Sequence, residues 1–338
     1  MTHEIDPVEL ESIEFWEDGP NSNSNSNPNP EENTNSESNS NPESNSNPNQ
    51  EGFAKWHKEW SLPASIMMII VTFVLTTVLA IVTELNKGIN TSTLNRFWLN
   101  QGVKYSSIAL IQLICGYVAT KGFKVNYTRK IVHICYFCVP QLLDTVLIPF
   151  DKNIYTEIWN VCVIMMLLLT MLEVVRKRCG LFRIMFAAVD RPEDRPYTTF
   201  WFITQLFVSV PIIAGFSVLF SEIGHNAYIF IPLIILAFGD GLAEPVGTKW
   251  GKHKYKAKAM FINREYTRSV EGSACVTFFS IVAVVIFYRE FTKASITFAL
   301  TTIPILMTIA EAKSPHTWDN PILLLVGYIL LTIAYYVE

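Results

Sequence analysis

The chain has 338 residues, half of them hydrophobic and only 17% charged, with a mean hydropathy of +0.27. An ordinary soluble domain carries about a quarter charged residues, so this balance argues against a soluble enzyme. The formal charge of −4 averages two unlike pieces: residues 1–60 hold 13 acidic and 2 basic residues, and residues 61–338 hold 17 acidic and 24 basic ones. An acidic tail therefore precedes a very apolar, positively biased body.

Within the tail, residues 21–50 carry 12 Asn and 8 Ser among Pro and Glu and contain no large apolar residue. Such a stretch cannot bury enough surface to offset its ordering entropy, so a disordered spacer over residues 1–60 is predicted. The segment from Met1 to Pro20 is acidic and lacks the apolar run of a secretory signal.

Nine stretches of the body, residues 61–338, approach the roughly 20 apolar residues that cross a bilayer as a helix. They run from Pro63 to Val82, Val103 to Thr120, Lys130 to Phe150, Ile154 to Val175 and Thr198 to Phe220, then from Ala227 to Ala243, Ser269 to Tyr288, Ile296 to Ala312 and Pro321 to Val337. The sixth and eighth are short. The expected fold is all-α, a polytopic membrane protein of about nine transmembrane helices. With nine spans, twenty of the 26 basic residues fall on one side, which gathers the loops around Lys121–Lys130, Arg176–Arg195 and Lys249–Arg268. The opposite side keeps Lys87, Arg96, Lys104, Lys152, Arg289 and Lys293. The positive-inside rule makes the richer side, with the N-terminus, cytoplasmic.

Six cysteines are scattered, and Cys135-x-x-Cys138 beside His133 has no second Cys/His pair at ligand spacing. Packing is the preferred reading of that group.

Ionisable groups at span ends are costly unless they serve a site. The densest set starts at Gly239-Asp240-Gly241, at the end of the sixth stretch. Ala243, Gly247 and Gly251 follow at four-residue spacing, then Lys249, Lys252, His253, Lys254, Lys256 and Lys258. A carboxylate for a divalent cation, glycines for close approach and clustered lysines suit a nucleoside triphosphate. The glycine spacing equally suits a helix-packing face. Ser269 reads as an N-cap, and Glu271 favours a helix N-terminus by its charge alone. Arg129-Lys130-x-x-His133, Glu173 with Arg176, Glu311 and Asp319-Asn320 fall on the same side. A polar site at one membrane face is where a soluble nucleotide would meet a lipid alcohol. Nothing in the pattern points to nucleic acid, and the oligomeric state is left open.

Gly239-Asp240-Gly241 with Gly247, Gly251 and Lys252, followed by Arg268-Ser269-x-Glu271-Gly272, resembles the nucleotide-binding signature of the CTP-dependent polyprenol kinases, a family that includes phytol, farnesol and dolichol kinases. Arg129-Lys130-x-x-His133, Glu311 and Asp319-Asn320-Pro321 resemble its other recurring pieces, so the likeness extends over most of residues 125–325. Arg268 stands where a lysine is usual, and Glu244-Pro245 departs from the plant phytol kinases. The resemblance implies a membrane kinase that transfers a phosphoryl group from CTP, with Mg²⁺, to an isoprenoid or related lipid alcohol. It implies catalytic parts for Asp240, Glu271, His133 and Asp319, with Asp240 and Asp319 on the metal. Gly239, Gly241, Gly247, Gly251, Gly272, Ser269, Lys249, Lys252, Lys254, Arg268, Arg129, Lys130 and Asn320 would contact the nucleotide. A phosphatidate cytidylyltransferase and a transporter are the alternatives; a transporter predicts charges near the bilayer midplane.

Overall fold

A computed structural model describes residues 48–85, 91–150, 154–260 and 262–337. The tail expectation falls mostly on residues 1–47, outside the described residues. Helix α1 begins at Pro48, so residues 48–60 of that stretch are helical.

Long apolar runs without polar faces form helices because, out of water, only intrasegment hydrogen bonds satisfy the backbone. In chain order these are α1 (Pro48–Leu85), α2 (Thr91–Thr120), α3 (Val125–Leu142), α4 (Ile154–Thr170), short α5 (Glu173–Arg176), α6 (Gly180–Ala187) and α7 (Thr198–Glu222). Then come α8 (Phe230–Ile234), α9 (Gly241–Trp250), α10 (Val270–Ile286), α11 (Lys293–Lys313) and α12 (Asp319–Tyr336). A π-helical segment, Ile235–Asp240, joins α8 to α9, so that Asn226–Trp250 is one continuous apolar stretch. Among the described residues, seven of the nine expected stretches are long and apolar enough to cross a membrane. The two that fall short are the fourth and seventh expected spans, with apolar helices Trp159–Thr170 and Val270–Ile286.

The fold is not purely helical. Strands β1 (Lys254–Lys258) and β2 (Glu265–Ser269) pair antiparallel, Lys254 opposite Ser269 and Lys258 opposite Glu265, and this hairpin occupies the lysine-rich loop.

The main core lies among α7, α8, α10, α11 and α12, where Tyr228, Ile231, Leu236, Ile303, Met307 and Tyr328 are fully buried. A smaller cluster joins α2, α3 and α6 through Cys115, Val132 and Phe186. Gly116 permits this contact, since a Cβ there would lie 1.9 Å from the Ile184 carbonyl oxygen. Outward-facing positions are apolar too, with Met67, Phe73, Phe207 and Phe278 all exposed. Water would penalise that surface and a bilayer would not.

Contacts place the helix ends alternately at two ends of the bundle. At one end Trp159 donates to Thr83, Asn100 donates to the Ile148 carbonyl, and Tyr105 donates to Asn160. Lys104 belongs to this group: it sits inside α2, fully buried, with its ammonium 2.6 Å from Asp144. Removing one member of a buried pair strands the other charge, which typically costs about 3–5 kcal/mol. Lys104→Met should lower the melting temperature strongly, and adding Asp144→Leu should recover most of the loss. A double variant no more stable than the single one would show that the pair does not act as a unit.

Candidate functional site

At the opposite end, segments far apart in sequence meet around a pocket of about 380 Å³. The first turns of α3 supply Asn126, Arg129 and Lys130. The α6–α7 connection supplies Arg191, and the π segment and α9 supply Asp240, Glu244 and Gly247. The hairpin supplies Lys254, Tyr266 and Arg268, α10 supplies Gly272 and Ser273, and the α11–α12 corner supplies Glu311, His316 and Asp319.

Asp240 ends the π segment, a helix irregularity common at functional sites because its extra residue redirects the following side chains. Its carboxylate is buried and accepts from Lys130 Nζ at 2.8 Å, while the same ammonium donates to the Asp240 carbonyl at 3.0 Å. His133 lies 3.4 Å from Asp240 Oδ2, but its Nε2 also approaches the Leu236 carbonyl at 3.0 Å. It packs on Phe137 and does not line the pocket, so it reaches the site only through Asp240.

One turn further along, Glu244 is the hub of a second network. Its oxygens accept from Arg129 Nη2 at 2.5 Å, Asn126 Nδ2 at 2.8 Å and Arg191 Nη1 at 3.0 Å. Arg191 also donates to Asp194 at 2.8 Å and to His316 Nε2 at 2.6 Å. A guanidinium can only donate, which fixes Nε2 of His316 as acceptor. The ring stacks on Tyr266 with centroids 3.8 Å apart. Burial and then the neighbouring Arg191, Arg129 and Arg268 hold its pKa well below the ordinary histidine value, so His316 is neutral.

A third group forms around Arg268, whose guanidinium lies 3.3 Å from Glu311 Oε1 and 3.4 Å from Asp319 Oδ2 and also donates to the Glu311 carbonyl. Burial opposes its charge, but Asp319 and Glu311 outweigh that cost and raise its pKa. Ser269 caps α10, accepting from the Gly272 amide at 3.1 Å.

Several expected contacts lie elsewhere. Glu271 is turned to His253, accepting from its Nδ1 at 2.8 Å and its backbone amide at 3.2 Å, and is absent from the pocket wall. Glu311, unlike Glu271, lines the pocket. Lys249 lies over the Trp250 ring, and Lys249 and Lys252 are exposed away from the lining; of the clustered lysines Lys254 alone contributes to it. Asn320 ties α12 to α7 by donating to Gln205 at 2.9 Å.

The glycines serve close packing first. A Cβ on Gly247 or Gly251 would meet Ser269 Oγ at 2.6 or 2.7 Å, and one on Gly272 would meet the Ala243 carbonyl oxygen at 2.5 Å. Gly239 and Gly241 abut Val276 and Ile134 in the same way. Gly247 and Gly272 nonetheless also line the pocket.

Among the described residues no three His, Cys, Asp or Glu side chains converge on a common metal position. Asp240, Glu311 and Asp319 do line one pocket, each facing Lys130 or Arg268. Mg²⁺ ordinarily keeps several waters and takes one or two carboxylates together with substrate phosphates, and this donor set fits that mode and not an all-protein cage.

Sequence reasoning passed over Glu244, Arg191, Asp194 and His316. The available signals were the one-turn spacing of Asp240 and Glu244, which puts both on one helical face, and the compact Arg191-Pro-Glu-Asp194.

No known family model and no solved structure matches the chain. A stretch of 97 residues is 30% identical to a phytol kinase from Synechocystis sp.; it covers 28% of this chain and 36% of that protein. The chain thus spans little more than a third of that relative's length.

The neutral His316 makes stability depend on pH. Below the ordinary value of 6.5 the unfolded chain takes up a proton that the folded site refuses, so stability falls as the pH drops below that value. Melting curves between pH 7.5 and about 5 should show this decline, and His316→Asn should make it shallower. An unchanged slope would mean that the ring is already protonated in the fold.

Proposed function

We propose that the chain is a membrane-embedded kinase that transfers a phosphoryl group from a nucleoside triphosphate, CTP on the sequence resemblance, to an isoprenoid or related lipid alcohol. The observation that carries this reading is the charge-lined pocket at one end of a bundle of apolar helices, where a soluble anion and a membrane-held alcohol can meet. The partial identity to a phytol kinase supports the same class. The skew of basic residues supports a cytoplasmic location for the pocket and the N-terminus.

Phosphoryl transfer asks the protein chiefly to position its reactants and stabilise charge. Five Lys and Arg side chains face five carboxylates across the pocket lining. A triphosphate adds about four negative charges at neutral pH, too many for this balanced set unless a cation arrives with it. Asp240 and Asp319 would hold that Mg²⁺, which neutralises phosphate charge when bound. Arg129, Lys130, Arg191 and Lys254 would bind and orient the phosphates. Lys130 would keep Asp240 ionised and aimed, with His133 behind it as a positioning residue.

Supplying the purified chain with γ-labelled CTP or ATP and a panel of lipid alcohols tests the reading. Label in the lipid with release of the nucleoside diphosphate is expected. Release of pyrophosphate, with the nucleotide retained on the lipid, would identify a cytidylyltransferase instead.

Asp240→Asn keeps volume and removes charge; transfer per folded molecule should fall by about a hundredfold or more. Of the exposed lysines, Lys254→Ala should raise the nucleotide KM roughly tenfold, about 1.4 kcal/mol, whereas Lys252→Ala should change it less than about twofold. Equal effects at the two positions would mean that Lys254 does not line the nucleotide pocket.

A further inference from the structure

A second cavity, an open groove of about 810 Å³, adjoins the polar pocket. Its lining is largely apolar, with Val270, Ala257, Ala259, Ala312 and Pro315, and Lys256, Lys258 and Lys313 stand at its edge. The two cavities share Ser273. Tyr255 belongs to the groove and Glu311 to the pocket, and one hydrogen-bonded chain joins the three. Tyr255 OH and Ser273 Oγ are 2.7 Å apart, Ser273 donates to Glu311 Oε2 at 2.7 Å, and Tyr255 OH lies 3.5 Å from the same oxygen.

We propose that this groove seats the alcohol-bearing end of the acceptor lipid, and that Glu311 takes up the hydroxyl proton through Ser273. The inference rests on the phosphoryl-transfer reading above and adds the acceptor site and the proton's destination.

The surface beyond the groove favours a long-chain occupant. Val270, Phe278, Ile281 and Val285 on α10 are exposed, as are Ile305 and Ile309 on α11. Residues at such spacings form one stripe on each helix. The two helices are pinned together there by a 2.6 Å Thr277–Thr308 hydrogen bond. An apolar track thus leaves the groove along helices of membrane character, which suits an alkyl or isoprenoid tail and not a sugar or a peptide. The lysines at the edge match the negative charge of a phosphorylated product.

Chemistry fixes the direction of the proton. Burial, and then the neighbouring Glu311, push the Tyr255 phenol up, so it remains a donor. Arg268 engages Oε1 of Glu311 and leaves Oε2 to the hydroxyls. In the step, the acceptor oxygen bonds to the terminal phosphorus as the bond from that phosphorus to the bridging oxygen breaks. The electron pair leaves with the nucleoside diphosphate. The acceptor proton passes to Ser273 Oγ while the proton of Ser273 passes to Glu311, which later releases it to water.

Two measurements on the full chain in lipid nanodiscs test this. Val270→Trp, at an exposed position of the groove, should raise the KM for a long-chain alcohol about tenfold and leave the nucleotide KM unchanged. Glu311→Gln should lower kcat by about a hundredfold or more and abolish the acidic limb of its pH profile, again with the nucleotide KM retained. Acceptor and nucleotide KM moving together in the first variant, or a surviving acidic limb in the second, would overturn the assignment. The other measurement needs no turnover: a diazirine-bearing long-chain alcohol should label peptides covering Tyr255–Ala259 or Thr308–Pro315 of the wild type, and unmodified alcohol should compete. Labelling there without phosphoryl transfer would keep the groove as a lipid site and sink the kinase reading. Transfer with labelling confined to other segments would keep the kinase and sink the groove.

Discussion

The buried ion pair between Lys130 and Asp240 is the contact on which the polar end of the bundle depends. Taking an ammonium and a carboxylate out of water costs several kcal/mol for each ion, and only close geometry with further hydrogen bonds offsets it. Here the ammonium reaches both the side chain and the carbonyl of Asp240, so it fixes the π segment as well as the charge. With α3 held against that segment, Arg129 falls opposite Glu244 one turn along α9. Glu244 in turn holds Arg191, and Arg191 holds Asp194 and the neutral His316. One register between two helices thereby sets the positions of side chains from four segments.

The hairpin closes the site from the other side. Its second strand runs directly into α10, so the residue that ends the ladder, Ser269, also caps the helix. Arg268, next to it, is carried into the corner between α11 and α12 to meet Glu311 and Asp319. Gly247, Gly251 and Gly272 are what allow this strand-to-helix junction to press against α9, since a methyl at any of them would collide with Ser269 or with backbone. Packing and site formation are therefore one requirement at these glycines, and the packing and ligand readings of their spacing do not exclude each other.

Much of this was legible in the sequence, and the failures have physical causes. Apolar run length located the spans, because lipid leaves the backbone no other choice. At the fourth and seventh stretches the described helices, Trp159–Thr170 and Val270–Ile286, are apolar but shorter. The gathering of Arg129, Asp240, Glu311 and Asp319 at one end followed from alternation alone. The lysines beyond Gly251 form one cluster in sequence, although Lys254-Tyr-Lys-Ala-Lys258 alternates with the period of a strand. A hairpin distributes those lysines to different surroundings, with Lys254 at the pocket and Lys256 paired to Glu265. Glu271 misled for a related reason: a carboxylate in the first turn of a helix is well placed by the helix itself, and here it turns to His253 and not to the pocket. The partners of Glu244 lie 53, 115 and 118 positions away, a pairing that no local pattern encodes.

Lys104–Asp144 bears on the choice among functions. It is a buried charge pair within the helices, the feature a transporter would need near its midplane. Yet its polar neighbours, Asn100, Gln101, Tyr105 and Asn160, lie at the end of the bundle opposite the pocket. They bond to each other or to backbone and join α2 to α4 and to the segment that follows α3. The pair ties α2 to the segment that follows α3, as Lys130–Asp240 ties α3 to the π segment at the other end. A pathway for an ion would require polar groups continuing from one cluster to the other. Between them lie the apolar contacts of Cys115, Val132 and Phe186, and the polar groups beside these, Gln112 and Tyr136, are uncharged and bond to each other and to the Met185 carbonyl. The polar chemistry of the fold is thus divided into a closed brace at one end and a lined pocket at the other, and of these two it is the pocket that has room and mixed charges for an anionic ligand.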